Sequence, residues 1–115
     1  MKILIADFDL FDKIGGGQTF YRQIIEKNPH LQFYYLIQQE NINNSRPQNA
    51  DVIPYKPIYD VADLRNYFNI NPPRWAYRSF TLASNIAYSV KGYEFDIIDA
   101  PDYEQYTLFL RPALN

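Results

Sequence analysis

The sequence predicts an α/β protein, a parallel sheet with helices on both faces in a Rossmann-like three-layer arrangement. Three observations carry that expectation. Short runs rich in β-branched and aromatic residues recur at Lys2–Asp7, Leu31–Ile37, Asp51–Tyr55 and Glu94–Asp99. Segments with apolar residues at helical spacing lie between most of them. Strands that alternate with helices imply right-handed crossovers, and therefore a parallel sheet. The expected strand order is 3-2-1-4, which puts a topological switch between the first and fourth strands, where ligands bind in such sheets.

The elements follow in order. Lys2–Asp7 is a continuous apolar run rich in isoleucine, as in a strand covered on both faces. Gly16–Asn28 reads as a helix with Phe20, Ile24 and Ile25 facing inward and Arg22, Glu26 and Lys27 in water. It stops at Asn28 because a residue before proline is pushed out of the helical region. After the strand at Leu31–Ile37 comes a polar, Asn/Gln-rich loop, Gln38–Asn49, and then the short strand Asp51–Tyr55. Asp60–Phe68 reads as a short helix with Val61, Leu64 and Phe68 on one side.

Pro72-Pro73 opens the longest helix, which runs to about Val90, since proline is tolerated in a first turn. Trp75, Leu82, Ala83, Ile86, Ala87 and Val90 form its apolar stripe. Lys91-Gly92 supplies the stop, a cation against the helix dipole and then a glycine free to turn left-handed. Glu94–Asp99 is the fourth strand. Asp102-Tyr-Glu-Gln105 has the form of a capping box for a last helix, Tyr103–Leu110, and Arg111–Asn115 is a tail.

The 115 residues, 47% of them apolar, make one domain, 1–115. A net charge of −2 with 11 scattered Lys and Arg gives no footprint for nucleic acid or for a membrane surface. There are no cysteines, so disulfides and thiolate metal sites are excluded. The apolar run Ile3–Ala6 is too short for a signal-peptide core or a membrane span, and a cytoplasmic protein is the default. Aromatic residues reach 17%, spread along the chain as core-filling side chains rather than clustered in loops as a sugar-stacking surface.

Chemistry is expected where the first strand gives way to the first helix. Gly15-Gly16-Gly17 precedes Gln18 and Thr19 at a helix start, where backbone N–H groups point outward at the positive end of the dipole. Glycines let a phosphate, carboxylate or sugar approach that backbone closely. The alternative is a turn needed only to change chain direction. The spacing is neither the dinucleotide fingerprint nor a P-loop. The loop after the fourth strand adds Asp99, Asp102 and Glu104, acceptor-only groups suited to sugar hydroxyls. Asp102 is equally a helix cap, worth about 1 kcal/mol.

With Met1–Asp7, Gly15-Gly16-Gly17 before Thr19-Phe20, and Phe95-Asp96-Ile97-Ile98-Asp99-Ala100-Pro101-Asp102, the chain resembles the N-terminal domain of GT-B glycosyltransferases. The likeness is to the retaining group that uses nucleotide sugars. It implies a nucleotide-sugar donor, a sugar or glycan acceptor, no cofactor and no bound metal. It also implies substrate-binding roles for Gly15, Gly16, Gly17 and Gln18. The family's second domain, which holds most of the donor and a pair of glutamates, has no counterpart here. No catalytic residue is therefore expected in this chain, and the chain alone is not expected to transfer sugar. His30, the only histidine, lies in a connector between a helix end and a strand.

Two other readings compete. Asp7-Phe8-Asp9 after an apolar strand resembles the opening motif of haloacid-dehalogenase-type phosphatases, with Asp7 as nucleophile and Asp9 as acid/base alongside Mg²⁺. That family's threonine is replaced by Phe11, and the plain reading of both aspartates is loop solvation. The other is a non-catalytic α/β binding or interaction module. The glycosyltransferase resemblance further implies that more strands follow Asn115. On that view the strand at 95–99 is a bare edge with Phe95, Ile97 and Ile98 beside it, through which the isolated chain self-associates until extension covers it.

Overall fold

A computed structural model of the chain describes residues 1–11, 16–38, 46–60, 74–101, 106–107 and 109–110. Within them the elements run β1 (Lys2–Phe8), α1 (Gly16–Lys27), β2 (Gln32–Ile37), β3 (Ala50–Pro54), α2 (Arg74–Ser89) and β4 (Ile97–Asp99). All the strands are parallel, in the order β3-β2-β1-β4, so the α/β, Rossmann-like class and the expected order hold. The helix expected over Asp60–Phe68 and most of that over Tyr103–Leu110 lie outside the described residues.

β1 is buried along almost its whole length because helices cover both sides of it. Ile3 and Ile5 pack with Phe33, Tyr35 and Ile37 of β2 against Tyr21 and Ile25 of α1. Leu4, Ala6 and Phe8 face the other way, joining Leu36, Ile53, and Ile86 of α2. Each fully buried large aliphatic contributes roughly 1.5–3 kcal/mol, which is why a strand flanked by two apolar layers anchors the domain.

Phe20 corrects the expected inner face of α1. The buried stripe centres on Tyr21 and Ile25, four residues apart, with Ile24 at its margin. Phe20 is thereby carried round to solvent at 58% exposure, its ring edge-on to Tyr21 at 5.6 Å. The helix ends at Lys27, next to the Asn28-Pro29 step, as expected. There the Asn28 side chain donates to Ile24 O at 2.7 Å, and the Asn49 amide donates to Ile25 O and Asn28 O at 2.9 and 3.1 Å. Asn49 thus ties the end of α1 to the start of β3.

α2 stops where the Lys91-Gly92 pair predicts, with Gly92 at φ 93°. Its inner face carries two polar residues among Ala83, Ile86 and Val90. Asn85 and Ser89 are buried, and both bind the segment after β3. The Lys56 N–H donates to Ser89 Oγ and the Tyr59 N–H to Asn85 Oδ1, each at 2.8 Å. Asn85 Nδ2 donates to Tyr55 OH and to Tyr59 O, both at 3.0 Å.

β4 is shorter than expected, three residues paired with β1 from Ile3↔Ile97 to Ile5↔Asp99. Below it the Lys2 N–H donates to the Asp96 carboxylate at 2.8 Å, and the Asp96 N–H returns to Lys2 O at the same distance. Phe95 does not lie on an open edge. It is buried, edge-on to Tyr34 of β2 at 5.5 Å and stacked on Tyr93 at 5.9 Å. Ile97 remains 44% exposed. Among the described residues no helix is long and apolar enough to cross a membrane.

Candidate functional site

At its carboxyl end β1 ceases to follow β2 residue for residue. Ile5 sits opposite Tyr35, yet Phe8 sits opposite Leu36, so Ala6 and Asp7 have no partner of their own on β2. Such bulges re-aim side chains and recur next to functional sites. The chain then passes through Asp9 at φ 53°, a left-handed conformation that Asp and Asn enter more readily than other side chains. Asp9 is clamped there. Its N–H donates to Leu36 O at 2.9 Å, and its Oδ1 accepts the Gln38 N–H at 3.1 Å.

Asp7 and Asp9 are therefore not solvated loop carboxylates. Their exposures are 2% and 0%. The cause is the path of the chain after the bulge: Leu10 and Phe11 return to the core, Phe11 lying against Tyr35 at 5.9 Å, and they carry the acidic pair inside with them. Asp7 Oδ1 accepts the Phe8 N–H at 2.8 Å.

A cavity of about 240 Å³ opens beside this turn, lined by Asp7, Phe8, Gln18, Gln38, Arg78, Leu82 and Tyr106. It lies at the carboxyl ends of β1 and β2, the end of a parallel sheet where ligands bind. α1 contributes Gln18 from its first turn, and α2 contributes Arg78 and Leu82 from one face, four residues apart. Phe8 makes the apolar wall, held edge-on between Tyr55 at 5.3 Å and Tyr106 at 5.4 Å. A second cavity, about 220 Å³ at the start of β3, is lined by Arg46, Pro47, Gln48, Ala50 and Asp51. The Arg46 guanidinium there donates to Ala50 O at 3.2 Å.

Of the residues expected to bind substrate, Gln18 lines the cavity and Gly16 and Gly17 precede it in the same helical turn. A Cβ built on either glycine meets no heavy atom within 4 Å among the described residues, and neither has a left-handed φ. Neither packing nor backbone conformation demands glycine at those two positions. Thr19 is exposed, its hydroxyl accepting from Arg22 at 3.1 Å, and is not part of the cavity wall. Gly15, Asp102 and Glu104 lie outside the described residues. Asp99 is exposed, with Oδ1 taking the Ala100 N–H at 2.9 Å.

Sequence reasoning missed Gln38, Arg78, Leu82 and Tyr106. Gln38 was within reach, as the first residue past the carboxyl end of a parallel strand. Arg78 and Leu82 share the helical spacing that the apolar stripe shows, but nothing local says that their end of α2 meets the tip of β1. Among the described residues no group of three or more His, Cys, Asp or Glu side chains is placed to hold a metal ion. Compared with known proteins, the chain matches no family model, no curated protein and no solved structure.

Proposed function

We propose that this chain is the acceptor-side domain of a cytoplasmic, nucleotide-sugar-dependent glycosyltransferase, holding a sugar or glycan acceptor while a second domain presents the donor. The observation that carries the reading is the cavity at the carboxyl ends of β1 and β2, next to a helix start where a Cβ on Gly16 or Gly17 meets none of the described residues. Its chemistry suits a sugar ring. A carboxylate, two side-chain amides and a guanidinium match hydroxyls on the ring's rim, and Phe8, Leu82 and Tyr106 match its C–H faces. In the same reading Gly15, Asp102 and Glu104 border the acceptor, and the strand at 95–99 pairs with a second copy at high concentration.

The test is Gly16→Val in the full-length gene product, assayed for sugar transfer from a panel of nucleotide sugars. Transfer falls by about tenfold or more, because the side chain occupies the ligand's approach. The Tm stays within about 2 °C, since the added carbons meet open space. Equal losses of transfer and stability point to a purely structural turn. Transfer persists in EDTA, because Asp7 and Asp9 hold no Mg²⁺ in this reading. Mg²⁺-dependent phosphatase activity that vanishes in Asp7→Asn assigns the pair to phosphoryl transfer instead. No transfer from any donor leaves a non-catalytic binding module.

A further inference from the structure

Three of the side chains that line the cavity are already committed inside the protein. Asp7, Arg78 and Tyr106 each have partners there, one of them the Phe8 N–H on Asp7 Oδ1. The lining holds one acidic and one basic residue, so its formal charges cancel. An ionic ligand that enters sheds water without meeting an uncommitted counter-charge, and burying a charge unpaired costs far more than burying a hydrogen-bonded neutral group. Gln18 and Gln38 are placed differently. Gln18 stands half-buried in the first turn of α1, and Gln38, exposed just past β2, is fixed through its backbone N–H on Asp9. Among the described residues no hydrogen bond occupies either side-chain amide. A carboxamide offers an acceptor oxygen and N–H donors without charge, and so pairs with a hydroxyl, which is itself donor and acceptor. At about 240 Å³ the cavity falls below the roughly 300–1,000 Å³ of pockets that enclose drug-sized ligands, so it has room for one ring.

We infer that the cavity is a subsite for one neutral monosaccharide ring, its hydroxyls read by the Gln18 and Gln38 side chains and its C–H face laid on Phe8 and Leu82. This rests on the sugar-acceptor reading above and narrows it to an uncharged acceptor unit. The committed groups then shape the cavity, and the two glutamines determine specificity, because they meet hydroxyls without favouring either sign of charge.

Ligand-observed NMR titrations of the purified chain test this with glucose, galactose, and the uronic acid and 2-amino derivative of each. They are run below neutral pH, where the amine carries its proton and the uronic acid has lost its own. Glucose or galactose binds about tenfold or more tightly than either of its charged derivatives. Gln18→Leu and Gln38→Leu, both outside the core, each weaken that hexose about fivefold or more. Gln38→Glu, of the same shape but charged, turns the preference toward the amino sugar by about tenfold, a change that a merely structural glutamine would not produce. Equal or tighter binding of a charged derivative overturns the neutral assignment and leaves the sugar-acceptor reading intact. Undiminished affinity in both leucine variants removes the glutamines, and the subsite with them. Absence of hexose binding overturns the subsite too, whereas the Gly16→Val transfer assay judges the broader reading by itself.

Discussion

Asp9 combines two demands that few residues meet together. Its backbone is left-handed at φ 53°, and its buried carboxylate accepts the N–H of Gln38, 29 residues away. A buried hydrogen bond to a charged group is worth about 1.5–3 kcal/mol, and a left-handed conformation costs an ordinary L-residue roughly 1–2 kcal/mol. Substitutions at this position therefore rank by how much of each demand they keep. Asp9→Asn, with an acceptor oxygen and a tolerance for positive φ, loses about 1 kcal/mol. Asp9→Ala loses more, and β-branched Asp9→Val loses about 3 kcal/mol or more. Urea unfolding of the three variants checks the order; equal losses would mean that neither demand matters. Because Gln38 lines the cavity, the same clamp holds one wall of that cavity in place. None of this was legible in the sequence. A carboxylate in a loop defaults to water, and only its distant backbone partner reveals that this one is inside.

Elements were more legible than their faces. The apolar run of β1, the Asn28-Pro29 stop of α1 and the Lys91-Gly92 stop of α2 each follow from local chemistry that tertiary packing does not reverse. The inner face of α1 shifted by one residue, from Phe20 to Tyr21, because a helix whose two aromatic and two isoleucine side chains fall in adjacent pairs, Phe20-Tyr21 and Ile24-Ile25, leaves the final rotation to its neighbours. α2 shows a deeper limit. Asn85 and Ser89 occupy core positions of its stripe, and their partners are backbone groups and a hydroxyl in the segment 55–60, which carries no periodic signal. Replacing Asn85 with Leu keeps the helix and strands but removes the acceptor for the Tyr59 N–H and the donor for Tyr59 O. Stability falls by about 2 kcal/mol, and the Tyr59 amide loses its protection from hydrogen exchange. Unchanged protection at Tyr59 would show that the segment is held by something other than this side chain. Tyr55 supports Phe8 at 5.3 Å, so loosening the segment also loosens the cavity's apolar wall.

At the scale of the whole molecule, strand order was readable because alternation of strand and helix restricts the topology, whereas the cavity was not, because it is made by residues from five separate stretches of chain. Among the described residues the sheet ends on one side at β4, whose Ile97 is 44% exposed beside Asp96 and Asp99. Edges of that kind pair with other chains unless charge blocks them. The Asp96 carboxylate already accepts the Lys2 N–H, which diminishes its service as a blocking charge. Sedimentation velocity of the purified chain therefore shows association that grows with concentration, and Ile97→Lys shifts it toward monomer. A concentration-independent monomer in both proteins would remove the edge from the account.

The bulge in β1 has an arithmetical consequence. Between Ile5 and Phe8 the strand advances three residues while β2 advances one, from Tyr35 to Leu36, so the surplus is two, an even number. Side chains alternate with period two, and an even surplus leaves Phe8, the last residue of the strand, on the face it shares with Leu36. Sheet and site are thereby separable by length alone. Excising Ala6 and Asp7 together would bring Phe8 against Leu36 in unbroken register, giving a domain that folds but has lost Asp7 from the wall of its cavity. Excising Ala6 alone would leave an odd surplus and turn Phe8 away from the layer it shares with Leu36, and that variant should be strongly destabilised.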